Sequence, residues 1–318
     1  MKKERAMAIV LMAVGASLFG FLGLCTRYFM GDRGIGPLDT VAIRLFVASL
    51  FLLLILALAS RSSLKIHRKD IPVFIVFGIF KFMSDVTYFY AQDNITLCLA
   101  TLLQMTAPYY VMVVSLFLFR EKITMKMLVA MVMSSIGCVL VTGVLFGSMD
   151  ARVEGIFSAL LSGLFFGMFI IGGRVMHLRG IRPETGLFYV LLVADIIAIP
   201  FIDIGGIGEA VSDFEGITAA LAIGVMMTLI PFYIYTWCSS YLEPTLASMI
   251  SILELVVAAV VGFVFFSEAL SPVNILGITI VIASVMLINL RIRKGYRKRF
   301  GEYVPPGLSA DKTLAGNC

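Results

Sequence analysis

Ten stretches of about twenty mostly apolar residues, separated by short polar punctuation, occupy most of the chain, and that is the length a helix needs to cross a bilayer. They fall at residues 7–29, 39–60, 70–91, 95–119, 123–146, 153–177, 185–203, 217–241, 244–267 and 271–290. Lipid offers no partner to a free backbone N–H or C=O, so only helices or a closed barrel can cross it. The stretches lack the alternation of barrel strands, which leaves helices. Composition agrees: 60% of the 318 residues are hydrophobic and only 14% charged, at mean hydropathy +1.01, whereas a soluble domain is about a quarter charged. An all-α membrane protein with ten transmembrane helices is expected. Lys2, Lys3 and Arg5 precede the first stretch as they would a signal peptide, but the run is long and lacks a small-residue cleavage site before Arg27, so it reads as a retained span.

The same inventory excludes several kinds of chemistry. Cys25, Cys98, Cys138 and Cys238 lie in separate apolar stretches and Cys318 is terminal, so no disulfide or metal spacing exists. His67 and His177 sit at segment ends, which leaves no histidine for a metal site or a triad inside the membrane. No metal, cofactor, nucleic-acid partner or enzyme activity is expected.

Orientation follows from the basic residues. With the N-terminus in the cytoplasm, the inner flanks hold Lys2, Lys3, Arg5, Arg61, Lys65, Arg68, Lys69, Arg120, Lys122, Lys126, Arg179, Arg182 and the six cations of 291–299, and the outer loops only Arg33 and Arg152. The positive-inside rule then places both termini in the cytoplasm. The acidic loop 203–215 falls outside on the same reading.

Residues 100–124 return as 247–271 at a shift of 147, with Ala100/Ala247, Val113/Val260, Val114/Val261, Phe119/Phe266 and Glu121/Glu268 matching without a gap. The same shift superposes Phe19-Gly20 on Phe166-Gly167, Arg27 on Arg174 and Tyr88 on Tyr235. One register that serves three places argues for duplication. Repeats of five spans enter the membrane in opposite senses, so the expected architecture is two inverted five-helix repeats, 1–147 and 148–291, followed by a basic, disordered tail at 292–318. Inverted repeats place a cavity near the midplane between two halves that can open to either side, the physical basis of alternating access.

The ten-span layout, Phe19-Gly20 with Arg27, Pro37 leading to Arg44, Pro108 with Glu121, and Glu254 with Glu268 together resemble the EamA-type branch of the drug/metabolite transporter superfamily over about residues 7–290. The resemblance implies a carrier of small metabolites, and an exporter. Two departures stand out. Phe19 replaces a tryptophan common in the first helix, and Leu255 replaces a proline that commonly follows the ninth-helix glutamate, which argues against a proline kink there.

Charges inside apolar spans are costly and mark the first places to look for function. Glu254 lies near the middle of the ninth span, where it can carry a proton, meet a substrate amine or hold a neighbouring helix. Lys81 and Asp85 stand at i and i+4 on one helical face, within reach of a self-neutralising pair. Arg44, one turn inside the outer end of the second span, either snorkels to the interface or faces the cavity. In the fourth span Gln104, Pro108 and Tyr109 share a face, and Pro108 loosens the bond to the Gln104 carbonyl. Ser251 with Glu254 forms a second polar stripe, while Ala258 and Gly262 serve packing. Tyr88, Tyr235 and Trp237 lie toward helix ends, where an interfacial aromatic belt is the default, with a cavity wall as the alternative. Glu121 and Glu268 end their helices against the macrodipole and read as gate or structural residues, with Lys122 or Lys126 expected beside Glu121.

The expectation is a secondary-active, multi-pass carrier of the plasma or inner membrane, with membrane lipid, a small-molecule substrate, and a proton or counter-substrate as partners. A homodimer is compatible with the sequence. The alternatives are a sugar-phosphate or nucleotide-sugar antiporter, which calls for more cavity cations than Arg44 and Lys81, and a non-transporting receptor or scaffold.

Overall fold

The computed structural model describes residues 2–59, 61–95, 97–121, 123–142, 152–266 and 271–289. Glu268, Lys122, the basic segment 291–299 and the tail to 318 lie outside them. The helices in chain order are α1 (Lys2–Gly20), α2 (Leu22–Thr26), α3 (Pro37–Ala59), α4 (Ile71–Asn94), α5 (Leu97–Gln104), α6 (Ala107–Leu118), α7 (Met125–Thr142) and α8 (Val153–Leu178). The remainder are α9 (Pro183–Ala198), α10 (Ile204–Ala210), α11 (Phe214–Leu221), α12 (Ile230–Cys238), α13 (Pro244–Ile250), α14 (Leu253–Phe266) and α15 (Pro272–Asn289). π-Helical segments at Arg27–Asp32 and Ala222–Leu229 extend α2 and join α11 to α12.

Local chemistry sets these boundaries. Proline opens α3, α9, α13 and α15, where its missing N–H costs no helical bond. Asp203 and Asp213 cap α10 and α11 by accepting from the backbone N–H of Gly205 and Gly216. Among the described residues, eight helical runs are long and apolar enough to cross a membrane, and Met125–Val141 and Pro272–Leu287 are shorter apolar helices. These two fall in the expected fifth and tenth spans.

Two membrane runs are broken at equivalent places. The α5–α6 run breaks at Met105–Thr106 and the α13–α14 run at Ser251–Ile252, within one residue of the 147-residue shift, so Gln104 ends the helix before the first break and Ser251 lies in the second. Pro108 explains the first break. The second has no proline, and the expectation that its absence removes the kink is corrected. Ser248 and Ser251 donate to the carbonyls of Thr245 and Ser248 at 2.9 and 2.6 Å, and the backbone shifts to i→i+3 bonds from Glu254 to Ser251 and from Leu255 to Ile252. Hydroxyls that bond to nearby carbonyls compete with the helical ladder and bend it.

Elements from the two ends of the chain interleave. α4 packs along α8, α3 along α9 and the second π-helical segment, and α1 along α12 and α14. The shorter helices α7 and α15 pair with each other, joined by Ser134 and Ser284 at 2.6 Å and by Asn274 Nδ2 donating to the Leu140 and Val141 carbonyls. Large apolar side chains such as Phe46, Leu58, Phe117 and Phe157 point outward, as lipid permits.

Candidate functional site

The helix breaks bring polar groups to the centre of the protein. Gln104 ends α5 and Glu254 lies in the first turn of α14, and both line a central cavity while remaining 7% and 6% exposed. Two glycines let neighbours come this close. A Cβ on Gly20 of α1 would lie 2.9 Å from the Glu254 carbonyl oxygen, and one on Gly163 of α8 would lie 2.9 Å from that of Gln104. Among the described residues, neither the Gln104 amide nor the Glu254 carboxyl has a side-chain hydrogen-bond partner or ion pair. Buried polar groups are normally satisfied, so such a pair facing a cavity points to a ligand.

The opposite wall carries the charges. Arg44 on α3 is 2% exposed, donates from Nε to Thr228 Oγ1 at 2.8 Å and places Nη1 3.5 Å from Asp85 Oδ1. Lys81 and Asp85 form the expected i, i+4 ion pair on α4. Thr228 sits in the second π-helical segment, whose wider turn also lets its hydroxyl donate to the Ile223 carbonyl at 2.6 Å. Aromatic faces complete the wall: Arg44 lies 5.5 Å and Lys81 4.3 Å from the centroid of Phe232, and Phe19 meets Phe232 edge to face at 4.7 Å. Tyr88 also lines the cavity, its hydroxyl 2.8 Å from Thr101 Oγ1. The cavity measures about 20 Å³, room for a water molecule and far below the hundreds of Å³ of a typical ligand site.

The structure therefore brings Arg44, Asp85, Tyr88, Gln104 and Glu254 together and keeps other candidates apart. Arg44 does not snorkel: buried partners replace the water it would otherwise seek. Tyr88 and Tyr235 are buried at 5% and 3%, not interfacial, because both helices turn those faces inward; Tyr235 packs against Phe19 and Phe166. Trp237 instead packs on Tyr241 at 4.6 Å. Lys81 stands behind Asp85, and Ser251 spends its hydroxyl on the Ser248 carbonyl. Pro108 and Tyr109 line a second, largely apolar cavity of about 190 Å³, where the Tyr109 hydroxyl meets Ser135 at 2.5 Å. The break before Pro108 turns that face away from Gln104.

Glu121 accepts a hydrogen bond from Thr245 Oγ1 at 2.7 Å, a partner on α13, and Lys122, one of the two cations expected beside it, lies outside the described residues. Burial pushes its carboxyl up to about 7, against the opposing influence of Thr245 and Arg174, and Glu243 adds to the rise. Glu268 lies outside the described residues. Sequence reasoning missed Asp195 on α9, whose Oδ2 accepts from Ser49 at 2.5 Å and whose Oδ1 is buried without a partner among the described residues. The rule that singled out Glu254, a charge inside an apolar stretch, also applies to Asp195.

Comparison with known proteins places this arrangement among transporters rather than enzymes. The model of the EamA-like transporter family matches residues 6–143 and again 153–290. An uncharacterized transporter, YxxF, of Bacillus subtilis is 24% identical over 91% of both chains. The threonine/homoserine exporter RhtA of Escherichia coli is 24% identical over 90% of this chain and 92% of its own. The pseudopaline exporter CntI of Pseudomonas aeruginosa is 25% identical over 81% of this chain and 88% of its own. A solved crystal structure shares the fold at TM-score 0.74 and 16% identity, covering 91% of this chain and 98% of that one.

Proposed function

The chain belongs to the EamA-like transporter family, a multi-pass membrane transporter, and from that premise we propose a secondary-active exporter of small metabolites working by alternating access around the Glu254–Gln104 cavity. Ten spans in two inverted repeats, 1–147 and 148–291, with both termini cytoplasmic, make up the carrier. The observation that supports this reading best is the pair of buried, unpartnered polar side chains at two helix breaks that face one cavity. Half-helix ends at the midplane are where carriers of this architecture hold their cargo. At about 20 Å³ the cavity is closed around no cargo, so loading requires the two halves to part.

Charge supports an accompanying role for a proton. Arg44 and Lys81 face three interior carboxylates, Asp85, Asp195 and Glu254. A proton on Glu254, or a cationic group of the substrate, balances the set. Glu254 is therefore the proton-coupling residue in this reading, and Arg44, Asp85, Tyr88 and Gln104 contact substrate. Relatives named as exporters of threonine, homoserine and pseudopaline support outward transport. A sugar-phosphate or nucleotide-sugar antiporter fits less well, since Arg44 is the one cation among the cavity-lining residues described.

Uptake of labelled amino acids, nucleosides, organic cations and sugar phosphates into liposomes holding the purified protein, with and without a pH gradient, tests the proposal. Gradient-driven accumulation that disappears in Glu254→Gln is expected. Equal rate and equal pH dependence in the variant overturn the role of Glu254, and absence of any flux from correctly inserted protein overturns the carrier reading in favour of a receptor or scaffold.

A further inference from the structure

The second cavity is the larger, about 190 Å³ against about 20 Å³ for the central one, and the same two helix breaks supply part of its wall. Leu103, Met105 and Thr106 come from the first break and Ile252 from the second, whereas Gln104 and Glu254, their neighbours in sequence, line the central cavity. The broken segments therefore stand between a polar cavity and an apolar one. Met131, Ser135 and Cys138 of α7 close the far side, on a helix that packs chiefly along α15 and more lightly on α5 and α14.

The lining restricts what fits. It includes no charged side chain among the described residues, and its hydroxyls are those of Thr106, Tyr109 and Ser135. All three protons are spent. Thr106 donates to the Leu103 carbonyl at 2.7 Å and Tyr109 to the Met131 carbonyl at 3.3 Å, which leaves Ser135 to donate to the Tyr109 oxygen at 2.5 Å. A hydroxyl has one donor and two acceptor lone pairs, so the cavity offers acceptors without free donors. A protein cavity of about 150 Å³ holds benzene, and this one has room for a single ring with a hydroxyl on it. The way in is from lipid: Tyr109 is 36% exposed, one turn from exposed Val113, and Ser135 lies between exposed Val132 and Ile136.

We propose that this cavity is a second binding site, for an uncharged, phenol-like molecule whose ring packs among the α5, α6 and α7 side chains and whose hydroxyl donates to Ser135. A lipid tail fits less well, because it leaves the Ser135 and Thr106 oxygens against hydrocarbon. A bound ring wedges between α7 and both breaks. It holds the broken segments still and so lowers the maximal rate of transport without competing for the central site. The effect on rate rests on the carrier reading; the binding does not.

Photolabelling of the purified, full-length protein in liposomes with para-azidophenol, mapped by mass spectrometry, tests the site. Label is expected on peptides carrying residues 102–109 and 131–139 and is displaced by phenol, whereas anisole, which has no proton to donate, needs about fivefold more at equal membrane concentration. Ser135→Ala/Tyr109→Phe brings the two displacers level. Val139→Phe, which fills the space with a ring of its own, loses the label; if that variant fails to fold, the double variant, which removes only two oxygens, keeps the test decisive. In the same liposomes phenol lowers the maximal flux at an unchanged half-saturating substrate concentration, and Val139→Phe is spared. Label scattered over the outer surface without displacement, equal displacement by anisole in wild type, or displacement by dodecane as readily as by phenol, which assigns the space to a lipid tail, overturns the proposal. Inhibition that raises the half-saturating concentration, or persists in Val139→Phe, overturns the action on the breaks. Mapped and displaceable label in protein without any flux upholds the site and overturns the carrier reading alone.

Discussion

Arg33 and Asp213, 180 residues apart in sequence, meet at 2.6 Å on the side of the protein read as external. Arg33 also donates from Nε to the Tyr28 hydroxyl at 2.8 Å, so the link ties the end of the first span to the start of α11. Asp213 meanwhile caps α11 through the Gly216 N–H. The Arg33 guanidinium and this backbone bond hold the Asp213 carboxyl below its ordinary value of 3.8. A depressed carboxylate contributes stability above its unfolded value and loses it as pH falls through the lower folded value. The pair is therefore intact throughout the neutral range. Because it is exposed and screened by salt, Asp213→Asn is expected to leave the melting temperature nearly unchanged. Joining Arg33→Cys and Asp213→Cys with a cleavable bifunctional thiol reagent long enough to replace the arginine side chain should slow flux, and cleaving the linker should restore it. Unimpeded flux through the cross-linked protein contradicts a moving contact here.

Glu121 makes the opposite pH prediction. Its carboxyl is pushed up to about 7, and its ordinary value is 4.5. The folded protein thus holds a proton that the unfolded chain releases, so stability falls as pH rises from the unfolded value through the folded one. Melting temperature measured from about pH 5 to about pH 8 should decline, and Glu121→Gln should flatten the decline. An equal slope in the variant assigns the titration to another group.

Close approach at Gly20 is a separate test of the packing around Glu254. A Cβ there would meet Val257 Cβ at 2.6 Å and the Glu254 carbonyl at 2.9 Å, both on the helix that carries the carboxyl. Gly20→Val should cost about 1–3 kcal/mol, the range for overpacking, and should reduce flux by displacing Glu254. Wild-type stability in Gly20→Val contradicts the described contact between α1 and α14.

Gln104 and the second, apolar cavity make a paired prediction. Gln104→Leu removes an unpartnered amide from the central cavity and should raise the substrate concentration for half-maximal flux by about tenfold, the scale of a lost hydrogen bond to cargo. Tyr109→Phe, which removes only the hydroxyl that meets Ser135 and the Met131 carbonyl, should leave that concentration unchanged. The reverse pattern moves the site to the second cavity.

Much of the fold was legible because lipid leaves little choice: long apolar stretches must become helices, and the Lys81–Asp85 pair follows from helical spacing alone. The second break was not, because Ser248 and Ser251 act through bonds to their own backbone that a proline-based reading ignores. Tyr88 and Tyr235 look interfacial by depth in the sequence, yet which way a helix faces is set by packing between distant segments. The partner of Glu121 comes from α13, 124 residues away, and nearby lysines gave no hint of Thr245. Asp195 was open to the same reasoning as Glu254, and its bond to Ser49 on another helix emerges only from the packing of α3 against α9.

The most direct test of alternating access is the sidedness of Gln104. In a variant whose native cysteines are replaced, Gln104→Cys is exposed to a membrane-impermeant thiol reagent from one face at a time, in right-side-out and inside-out vesicles. Labelling from both faces, slowed by transported substrate, is the predicted result. Labelling from one face alone under every condition, or from neither while flux persists, contradicts a single central site that opens alternately to the two sides.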